Sequence, residues 1–272
     1  MYDCHLHTKY SFDGKNEMAE VCEISLKNGM KGICFTDHVD LAAPNPQGKT
    51  YPLLDHVPDR IAYQRDFEAV KGLYGDRLAL GRGIEVGLQP GLQQRNQAEI
   101  VKIQPDFIIG SIHYIDGMDI YHGNFSRGKT ERQAYFAYLE HILQMVQTHT
   151  YFHVLGHLDM ILRDDTFPER SFDKPEYHLL IDDILRTLIA SGRGIEVNSS
   201  GWRYHLPGPH PAPFIIKRYY QLGGRIITTG SDSHYANSVN LDIDRVTEIL
   251  REIGFTAVSF FLAGEEQRKP IS

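Results

Sequence analysis

Short apolar runs alternate with longer amphipathic stretches along most of the chain. The apolar runs predict strands at Tyr2–His7, Gly32–Thr36, Arg82–Val86, Phe107–His113, Phe152–His157, Gly194–Asn198, Arg225–Thr229 and Ala257–Phe261. Between them, apolar side chains recur at helical spacing, which indicates helices that bury one face. The pattern therefore predicts a regular alternation of strands and helices.

Four of the predicted helices carry signals at their ends. A polar cap or a proline is typical of a helix start, and glycine is typical of a helix stop. The signals are Asn16 with Gly29, Thr130 with Gln133 as a capping box, Pro175 with Gly192, and a last helix from about Asn240 to Ile253 that is followed by Gly254.

This alternation predicts a parallel sheet in a single domain that spans residues 1–272. With about seven repeats the sheet is expected to close into a barrel, and an open doubly wound sheet is the alternative. No GxGxxG segment opens a helix after the first strand, so dinucleotide binding has no support.

Three long segments that follow predicted strands are rich in proline, glycine or polar residues and are predicted to be loops. They are Val39–Val57, Tyr114–Lys129 and Ser199–Pro213. Loops of this length are uncommon unless they are functional, and barrel enzymes build their sites at the ends of the strands. The hexapeptide GRGIEV occurs at Gly81–Val86 and again at Gly192–Val197, which we interpret as two strands that share one way of packing.

The composition is that of an ordinary globular protein, with 42% hydrophobic and 23% charged residues. The formal net charge of -7 argues against binding of long nucleic acid. Cys4, Cys22 and Cys34 form no paired framework, so buried thiols are expected rather than disulfides. Because the first residues do not look like a secretory signal and no apolar run could cross a bilayer, we expect a cytoplasmic protein that does not bind membranes.

Side chains that are able to bind metals recur where successive predicted strands end. They are His5 and His7, Asp37 and His38, Glu85, His113, His157 and Asp159, Glu196 and Asn198, and Asp232 and His234. Each of them taken alone is ordinarily a surface residue, a core residue or a helix cap. A closed barrel would gather them at one mouth, and so many buried ionisable groups need the compensating charge that divalent cations supply.

The first strand illustrates how the side chains are expected to point. Alternate residues of a strand share a face, so His5 and His7 are expected to point one way, and Cys4 and Leu6 the other. In the predicted strand Phe152–His157, His153 is expected to point to the same face as His157 but one layer deeper in the barrel. It is therefore expected to be a core residue.

The strand-end residues resemble the motifs of the PHP (polymerase and histidinol phosphatase) superfamily, and most closely its histidinol-phosphatase branch. The matching motifs, spread over essentially the whole chain, are His5-x-His7, Thr36-Asp37-His38, Gly-Ile-Glu85, Gly-Ser-Ile-His113, Gly-His157-Leu-Asp159 and Gly-Ser-Asp232-Ser-His234. The resemblance implies a distorted (β/α)7 TIM-like barrel with a metal site at the C-terminal ends of its strands.

The resemblance also implies three divalent metal ions. One would take His5, His7, Glu85 and Asp232, a second would share Glu85 and take His113 and His157, and a third would take His38, His234 and Asp13, where many family members have histidine. The three carboxylates contribute -3 against +6 from the ions, so the site would be locally positive and would suit a phosphate dianion. Mixed nitrogen and oxygen ligands favour Zn, Mn or Fe over magnesium. Histidine ligands predict weaker metal binding below about pH 6.5.

The implied activity is that of a metal-dependent phosphomonoesterase that acts on the small-molecule ester L-histidinol phosphate, in histidine biosynthesis. A metal-bound hydroxide is expected to attack phosphorus directly, with Glu85, Asp232 and His234 as catalytic residues. One alternative is a phosphoesterase of the same superfamily that acts on nucleotides, oligonucleotides or phosphotyrosine. Others are an amidohydrolase-type hydrolase, which would usually need a bridging lysine, and a metal-binding barrel without turnover.

Further side chains are candidates for roles around the ions. Arg203 is the first choice for the substrate phosphate, ahead of Arg163 and Arg127, because a guanidinium binds phosphate through paired hydrogen bonds. Glu196 and Asn198 are expected to orient ligands or to meet a substrate ammonium. The remaining candidates are Trp202 and Tyr204 for stacking on an imidazole ring or for packing of their loop, Asp37 and Asp159 for holding ligand histidines, and Asp159 also for donating a proton.

Overall fold

The computed structural model describes residues 1–44, 50–51 and 55–271 of the chain. Its strands are β1 (Tyr2–Leu6), β2 (Gly32–Val39), β3 (Ala43–Pro44), β4 (Thr50–Tyr51), β5 (Ala79–Gly87), β6 (Phe107–Ser111), β7 (Tyr114–Ile115), β8 (Met118–Asp119), β9 (Val154–Leu155), β10 (Gly194–Asn198), β11 (Ile227–Gly230), β12 (Ala257–Leu262) and β13 (Glu265–Pro270). Its α-helices are α1 (Met18–Lys27), α2 (Arg60–Tyr74), α3 (Gln93–Ile103), α4 (Glu131–Thr148), α5 (Pro175–Ala190), α6 (Pro213–Gln221) and α7 (Ile243–Ile253). None of the described helices is long and apolar enough to cross a membrane.

Seven parallel strands form a nearly closed barrel in the order β1-β2-β5-β6-β9-β10-β11. The first and last strands meet where the Asp232 N–H donates to the His5 carbonyl at 2.8 Å and the His7 N–H donates to the Ser233 carbonyl at 2.9 Å. The predicted distorted TIM-like barrel is therefore confirmed, and the open sheet is not formed. Because this closure lies at the strand ends, it sets Asp232 beside both histidines.

The bounds of several strands differ from the prediction near the site. β2 continues to Val39, so His38 lies on the strand, whereas β9 contains only Val154–Leu155, so His157 lies beyond its end. The eighth predicted strand, β12, lies outside the barrel and pairs antiparallel with β13. Its fully buried Phe260 packs in a cluster with apolar residues of the barrel strands.

The predicted alternation along the first strand is only partly correct. Cys4 and Leu6 do not share a face, because each is buried in a different apolar cluster. The pairing of β1 with β2 shifts register between Asp3 and Leu6, and such an irregularity breaks strict alternation. His5 and His7 nevertheless converge, with 3.1 Å between their Nε2 atoms.

Most of the predicted helix signals are confirmed. Thr130 and Gln133 form a capping box at the start of α4, and Pro175 is the first residue of α5. The prediction for Asn16 was wrong, because α1 begins two residues later and the buried Asn16 side chain does not cap it. The Asn16 amide instead donates to the His7 carbonyl at 3.2 Å, so it holds the first strand at the site.

The three predicted loops contain regular structure. Tyr114–Lys129 includes the hairpin of β7 and β8, and Ser199–Pro213 includes a 3₁₀-helix and a backbone bridge from His210 to Asn198. Within Val39–Val57, residues 45–49 and 52–54 lie outside the described residues. The hairpin and the 3₁₀-helix give side chains at the barrel mouth defined positions.

The two copies of GRGIEV perform the same structural task. The Arg82 guanidinium donates to the carbonyl of Gln104, which directly follows α3, and the Arg193 guanidinium donates to the carbonyls of Val146 in the last turn of α4 and of His149 directly after it. Cationic groups at the free carbonyls of a helix C-terminus are favourable. In each copy the following glutamate, Glu85 or Glu196, is buried at the barrel mouth. Shared packing, as interpreted from the sequence, therefore accounts for the repeat.

Candidate metal centre

The carboxyl ends of the barrel strands surround a cavity of about 590 Å³. Its lining includes Asp13, His38, Glu85, His113, His157, Asp232 and His234. The other two predicted ligands, His5 and His7, are fully buried against Glu85 and Asp232. The structure thus brings together all the residues that the sequence assigned to metal ions.

Four ligand atoms, from His5, His7, Glu85 and Asp232, converge on one point. His5 Nε2 lies 3.1 Å from His7 Nε2 and 3.2 Å from Glu85 Oε2. Asp232 Oδ1 lies 3.7 Å from His5 Nε2 and 3.4 Å from His7 Nε2. Ligand atoms around a tetrahedral zinc ion are roughly 3.4 Å apart, given bond lengths of about 2.0–2.1 Å. The four atoms therefore fit a single ion.

Glu85 directs its two carboxylate oxygens to different groups of histidines. Oε1 lies 2.8 Å from His157 Nε2 and 3.2 Å from His113 Nε2. Oε2 faces the converging nitrogens of the first strand and lies 3.1 Å from His38 Nδ1. A carboxylate placed in this way would offer one oxygen to each of two neighbouring ions.

The third predicted set of ligands is more open to solvent. Asp13 Oδ2 lies 3.2 Å from His234 Nε2, and Asp13 Oδ1 lies 3.7 Å from His38 Nε2. The His7 ring stacks on the His234 ring with 4.0 Å between centroids, which joins this set to the first. The Asp13 side chain is 41% exposed, whereas that of His38 is 8% exposed. This set therefore forms the rim of the cluster.

The chemistry of the donor set fits divalent metal ions. Buried atoms without a hydrogen-bond partner among the described residues include Asp13 Oδ1, His38 Nδ1, Glu85 Oε2 and His234 Nε2. Unpaired buried polar atoms are rare because they are costly, and each of these atoms is a good ligand for a transition metal. Cations at the points of convergence would satisfy them.

The outer nitrogens of two ligand histidines are already occupied by carboxylates. His5 Nδ1 lies 2.6 Å from Glu196 Oε1, and His113 Nδ1 lies 3.0 Å from Asp40 Oδ1. Such contacts fix the tautomer of an imidazole and leave the Nε2 lone pair for a metal. Both histidines are thus oriented before any ion binds.

Asp37 acts on the site through a hydroxyl rather than by touching a histidine. Its Oδ1 accepts from the Ser11 hydroxyl at 2.7 Å, and the Ser11 oxygen lies 2.9 Å from His7 Nδ1. Asp37 also accepts from the Thr8 N–H and the Thr8 hydroxyl, at 2.7 Å each. The expected orientation of a ligand histidine by Asp37 therefore passes through Ser11, a residue that the sequence analysis missed.

Glu196 and Asn198 support the ligands from outside the cavity lining. Glu196 Oε2 accepts from the His157 N–H at 2.9 Å and from the Asn198 amide at 3.1 Å, while its Oε1 faces His5. Asn198 Oδ1 accepts from the Ser200 N–H at 3.0 Å. Of the two roles considered for this pair, the geometry provides the orientation of ligands and leaves no Glu196 oxygen for a substrate ammonium.

Trp202 and Asp159 face partners other than those expected. The Arg245 guanidinium lies 3.9 Å from the Trp202 ring centroid, and Trp202 is absent from the described cavity lining, so it packs its loop and does not stack on a substrate. Asp159 Oδ1 lies 2.5 Å from His210 Nδ1, and Asp159 Oδ2 accepts from the Ala212 N–H at 2.8 Å. Asp159 therefore holds a histidine that is not a predicted ligand, and both its oxygens are engaged away from a leaving group.

Arg163 lines the cavity with its side chain only 5% exposed. Its Nη2 donates to Asp232 Oδ2 at 2.8 Å and to Ser200 Oγ at 2.7 Å. Its guanidinium carbon lies 4.5 Å from the centroid of the Tyr204 ring, so Tyr204 stacks on an arginine. Arg163 is therefore fixed at the edge of the predicted metal cluster.

Arg203 also lines the cavity, as a candidate for phosphate binding should. Its Nη2 donates to the Ser231 and Asp232 carbonyls at 2.6 and 2.8 Å, and its Nη1 is buried without a partner among the described residues. Arg127 is exposed and is not part of the described lining. The geometry therefore makes Arg163 as good a candidate for phosphate binding as Arg203, and it does not support Arg127.

The sequence analysis missed two carboxylates of the cavity. Asp40 is 2% exposed, and its Oδ2 lies 3.4 Å from His38 Nδ1 in addition to the contact with His113. Asp40 lies two residues after His38, just past the end of β2, so a search for acidic residues beside the strand-end histidines would have found it. Asp119 lies on β8, inside a segment interpreted as a loop, where no sequence signal distinguished it.

Charges in the cluster shift the pKa values of the histidines strongly. Burial lowers the pKa of His5, but nearby carboxylates, Glu196 foremost, outweigh burial and hold that pKa well above its ordinary value of 6.5. Burial also lowers the pKa of His113, and Asp40 and Glu85 outweigh it in the same way. In the ion-free protein both rings therefore favour the doubly protonated, charged form more strongly than a free histidine does.

Zinc binding is expected to weaken with falling pH from a point above pH 6.5. Because the pKa values of His5 and His113 are raised well above 6.5, a proton must leave each ring before its nitrogen binds the ion. Affinity therefore increases with pH until the raised pKa values are passed, and it decreases on acidification. Equilibrium dialysis against zinc from about pH 5 to about pH 9 checks this. An affinity that stays constant over that range would contradict a histidine-dominated site.

A sequence model of the PHP domain matches residues 3–200 of the chain. A protein named probable histidinol-phosphatase from Clostridium acetobutylicum is 28% identical over 261 residues, which cover 96% of each chain. The histidinol-phosphatase of Lactococcus lactis is 26% identical over 263 residues, which cover 95% of this chain and 93% of that protein.

Solved structures share the fold. The crystal structure of the Lactococcus lactis histidinol phosphate phosphatase, complexed with zinc, L-histidinol and phosphate, superposes with a TM-score of 0.87 at 24% identity and covers 98% of each chain. That of a putative histidinol phosphatase from Listeria monocytogenes gives a TM-score of 0.78 at 18% identity, covering 90% of this chain and 99% of that one.

Proposed function

The chain belongs to the PHP domain family, and we propose that it is a metal-dependent phosphomonoesterase that hydrolyses L-histidinol phosphate to L-histidinol and phosphate. The observation that carries the proposal is the cavity, where nitrogen and oxygen ligands converge beside two arginines. Such a site becomes positive when it holds cations and then suits a phosphate dianion. The substrate is supported by relatives named histidinol-phosphatase that match nearly the whole chain.

We propose that residues 1–272 form one domain. The barrel takes its strands from Tyr2–Leu6 through Ile227–Gly230, and the first strand closes on the last. The final hairpin then packs back on the barrel through Phe260. Every part of the proposed site therefore depends on the closure of the same barrel.

Three divalent ions are proposed, with the ligands implied by the sequence. His5, His7, Glu85 and Asp232 would hold one ion, Glu85, His113 and His157 a second, and Asp13, His38 and His234 a third. The mixed ligands suit Zn, Mn or Fe, and zinc is the ion named for the Lactococcus lactis structure. When bound, such ions supply an activated water at neutral pH and stabilise negative charge on the phosphoryl group.

Arg163 and Arg203 are proposed to hold the phosphate. The Nε and Nη2 groups of Arg163 are used by His210, Ser200 and Asp232, whereas its Nη1 has no acceptor among the described residues. Arg203 Nη1 is unpaired as well. Each arginine thus keeps donors for phosphoryl oxygens while protein contacts hold the rest of its guanidinium.

Asp119 is proposed to bind the ammonium group of L-histidinol phosphate. Among the described carboxylates of the lining, it is the one without a contact to the histidine cluster, and its contacts are the His122 N–H at 3.1 Å and His122 Nδ1 at 2.8 Å. It pairs across the hairpin with Tyr114, the residue after His113, so it lies close to the ligands. An acidic group there would meet the cationic end of a substrate whose phosphate faces the ions.

The test of the function is phosphate release from L-histidinol phosphate by protein loaded with zinc or manganese. The same protein is assayed with p-nitrophenyl phosphate and a nucleoside monophosphate. A strong preference for L-histidinol phosphate supports the proposal. Turnover of only the other esters would support phosphoesterase chemistry but reject L-histidinol phosphate as the substrate. No turnover of any ester by metal-loaded protein would reject the proposed function.

Asp119→Asn is expected to raise the KM for L-histidinol phosphate by about tenfold, which corresponds to about 1.4 kcal/mol of binding free energy. Hydrolysis of p-nitrophenyl phosphate, which has no ammonium group, should change by less than about twofold. Asp116→Asn is the matched control, because Asp116 lies on the same hairpin with a φ of 51° that asparagine tolerates, and it is absent from the described lining. Equal losses on both substrates would argue against the role of Asp119.

A further inference from the structure

Asp159 and His210 form a buried pair that no role described so far requires. Both side chains are essentially inaccessible, at 1% and 0% exposure. Asp159 Oδ1 lies 2.5 Å from His210 Nδ1, and its Oδ2 accepts from the Ala212 N–H. The His210 backbone also pairs with Asn198 at the end of β10, through bonds of 2.8 and 2.6 Å. The pair is therefore fixed to the barrel wall.

The second nitrogen of His210 receives a hydrogen bond from Arg163. The distance from Arg163 Nε to His210 Nε2 is 3.2 Å. A guanidinium donates and cannot accept, so His210 Nε2 must carry the lone pair and Nδ1 the proton that is shared with Asp159. The neutral His210 imidazole thus links the buried Asp159 carboxylate to Nε of Arg163.

These contacts leave Arg163 little freedom to rotate. His210 holds Nε, Asp232 and Ser200 hold Nη2, and the Tyr204 ring covers one face. Nη1 has no acceptor among the described residues, and Arg163 lines the cavity. If the acceptor at His210 Nε2 were lost, the buried Nε would be unpaired and the guanidinium plane could turn, which would displace Nη1 from the phosphate.

We propose that His210, which Asp159 holds in place, is a positioning residue that sets the orientation of Arg163 for the substrate phosphate. The inference rests on the proposed phosphatase function, because it assigns the ligand of Arg163 Nη1. It adds a residue that lies outside the groups proposed to bind the substrate or the ions.

Two substitutions of His210 separate its contact with Arg163 from its contact with Asp159. His210→Gln places an amide oxygen near the position of Nε2 and keeps an acceptor for Arg163, whereas His210→Asn keeps a donor for Asp159 and loses that acceptor. For zinc-loaded protein, His210→Asn is expected to raise the Kd of inorganic phosphate by about tenfold, and His210→Gln by less than about threefold. Isothermal titration calorimetry measures both, after zinc content is shown to equal that of the wild type.

A double-mutant cycle tests whether His210 acts through Arg163. In an Arg163→Met background, adding His210→Asn should change the phosphate Kd by less than about twofold. His153→Gln is the control for replacing a partly buried, hydrogen-bonded histidine, because His153 Nδ1 accepts from the Ile108 N–H at 2.9 Å and His153 is absent from the described lining. It is expected to leave the phosphate Kd unchanged even if it lowers the Tm.

Equal weakening by both His210 variants, or full additivity with Arg163→Met, would overturn the positioning role. Wild-type protein that carries zinc but binds no phosphate would overturn the proposed function, and this inference with it. Phosphate binding without hydrolysis of L-histidinol phosphate would reject only the assignment of that substrate. The phosphate Kd values of the variants would still decide the role of His210.

Discussion

Removal of metal by a chelator is expected to reduce hydrolysis of L-histidinol phosphate by at least about 10³-fold, because uncatalysed phosphate-monoester hydrolysis is among the slowest known reactions. Without cations, Asp13, Glu85 and Asp232 present carboxylates to a dianionic substrate, and the unpaired donors of Arg163 and Arg203 remain as the proposed attraction for it. Turnover and metal content are measured together on the same samples, by phosphate release and by elemental mass spectrometry.

Re-addition of zinc or manganese should restore turnover, with metal content approaching the proposed three ions per chain. Thermal unfolding serves as the control, since ions that bind only the folded chain should raise its Tm while the ion-free chain still unfolds cooperatively. Full turnover by protein shown to be free of metal would refute the proposed chemistry, and restoration at one ion per chain would refute the proposed stoichiometry.

Glu85→Gln is expected to lower turnover by at least about 10³-fold, which is more than the 10- to 100-fold cost of removing an outer partner of a metal ligand. Glutamine keeps the size of the side chain but removes the charge that Oε1 directs to His157 and His113 and Oε2 to His5. Because the change affects both groups of histidines, metal content should fall along with activity.

The matched control is Glu68→Gln, which makes the same chemical change at an exposed position of α2. It is expected to leave turnover, metal content and Tm at the values of the unmodified protein. If Glu85→Gln retained both its metal and its activity, the assignment of Glu85 as a bridge would be wrong.

The barrel and the set of candidate ligands were accessible from sequence because both depend on local pattern. Strand and helix periods define the alternation, and residues such as His5 and His7 lie so close to the end of a strand that parallel pairing must bring them to one mouth. Even the register shift after Asp3 did not separate these two histidines.

Residues that orient the ligands were not accessible in this way. Asp40 lies 73 residues before His113, and Glu196 lies 191 residues after His5, so no short-range spacing marks either contact. From sequence, Glu196 was expected either to orient a ligand histidine or to meet a substrate ammonium. Its tertiary contact with His5 favours the orientation of a ligand. Long-range hydrogen bonds of this kind form only when the strands have been brought side by side.

The sequence by itself therefore determined the order of elements, the family and the residues able to bind metal, because these properties depend on residue type and on spacing along the chain. The tertiary structure decided which nitrogen of each histidine faces the centre, how Glu85 divides its oxygens, and that Arg163 joins Arg203 at the cavity. Those features depend on distances of about 3 Å between groups far apart in sequence, which close packing of the folded barrel sets.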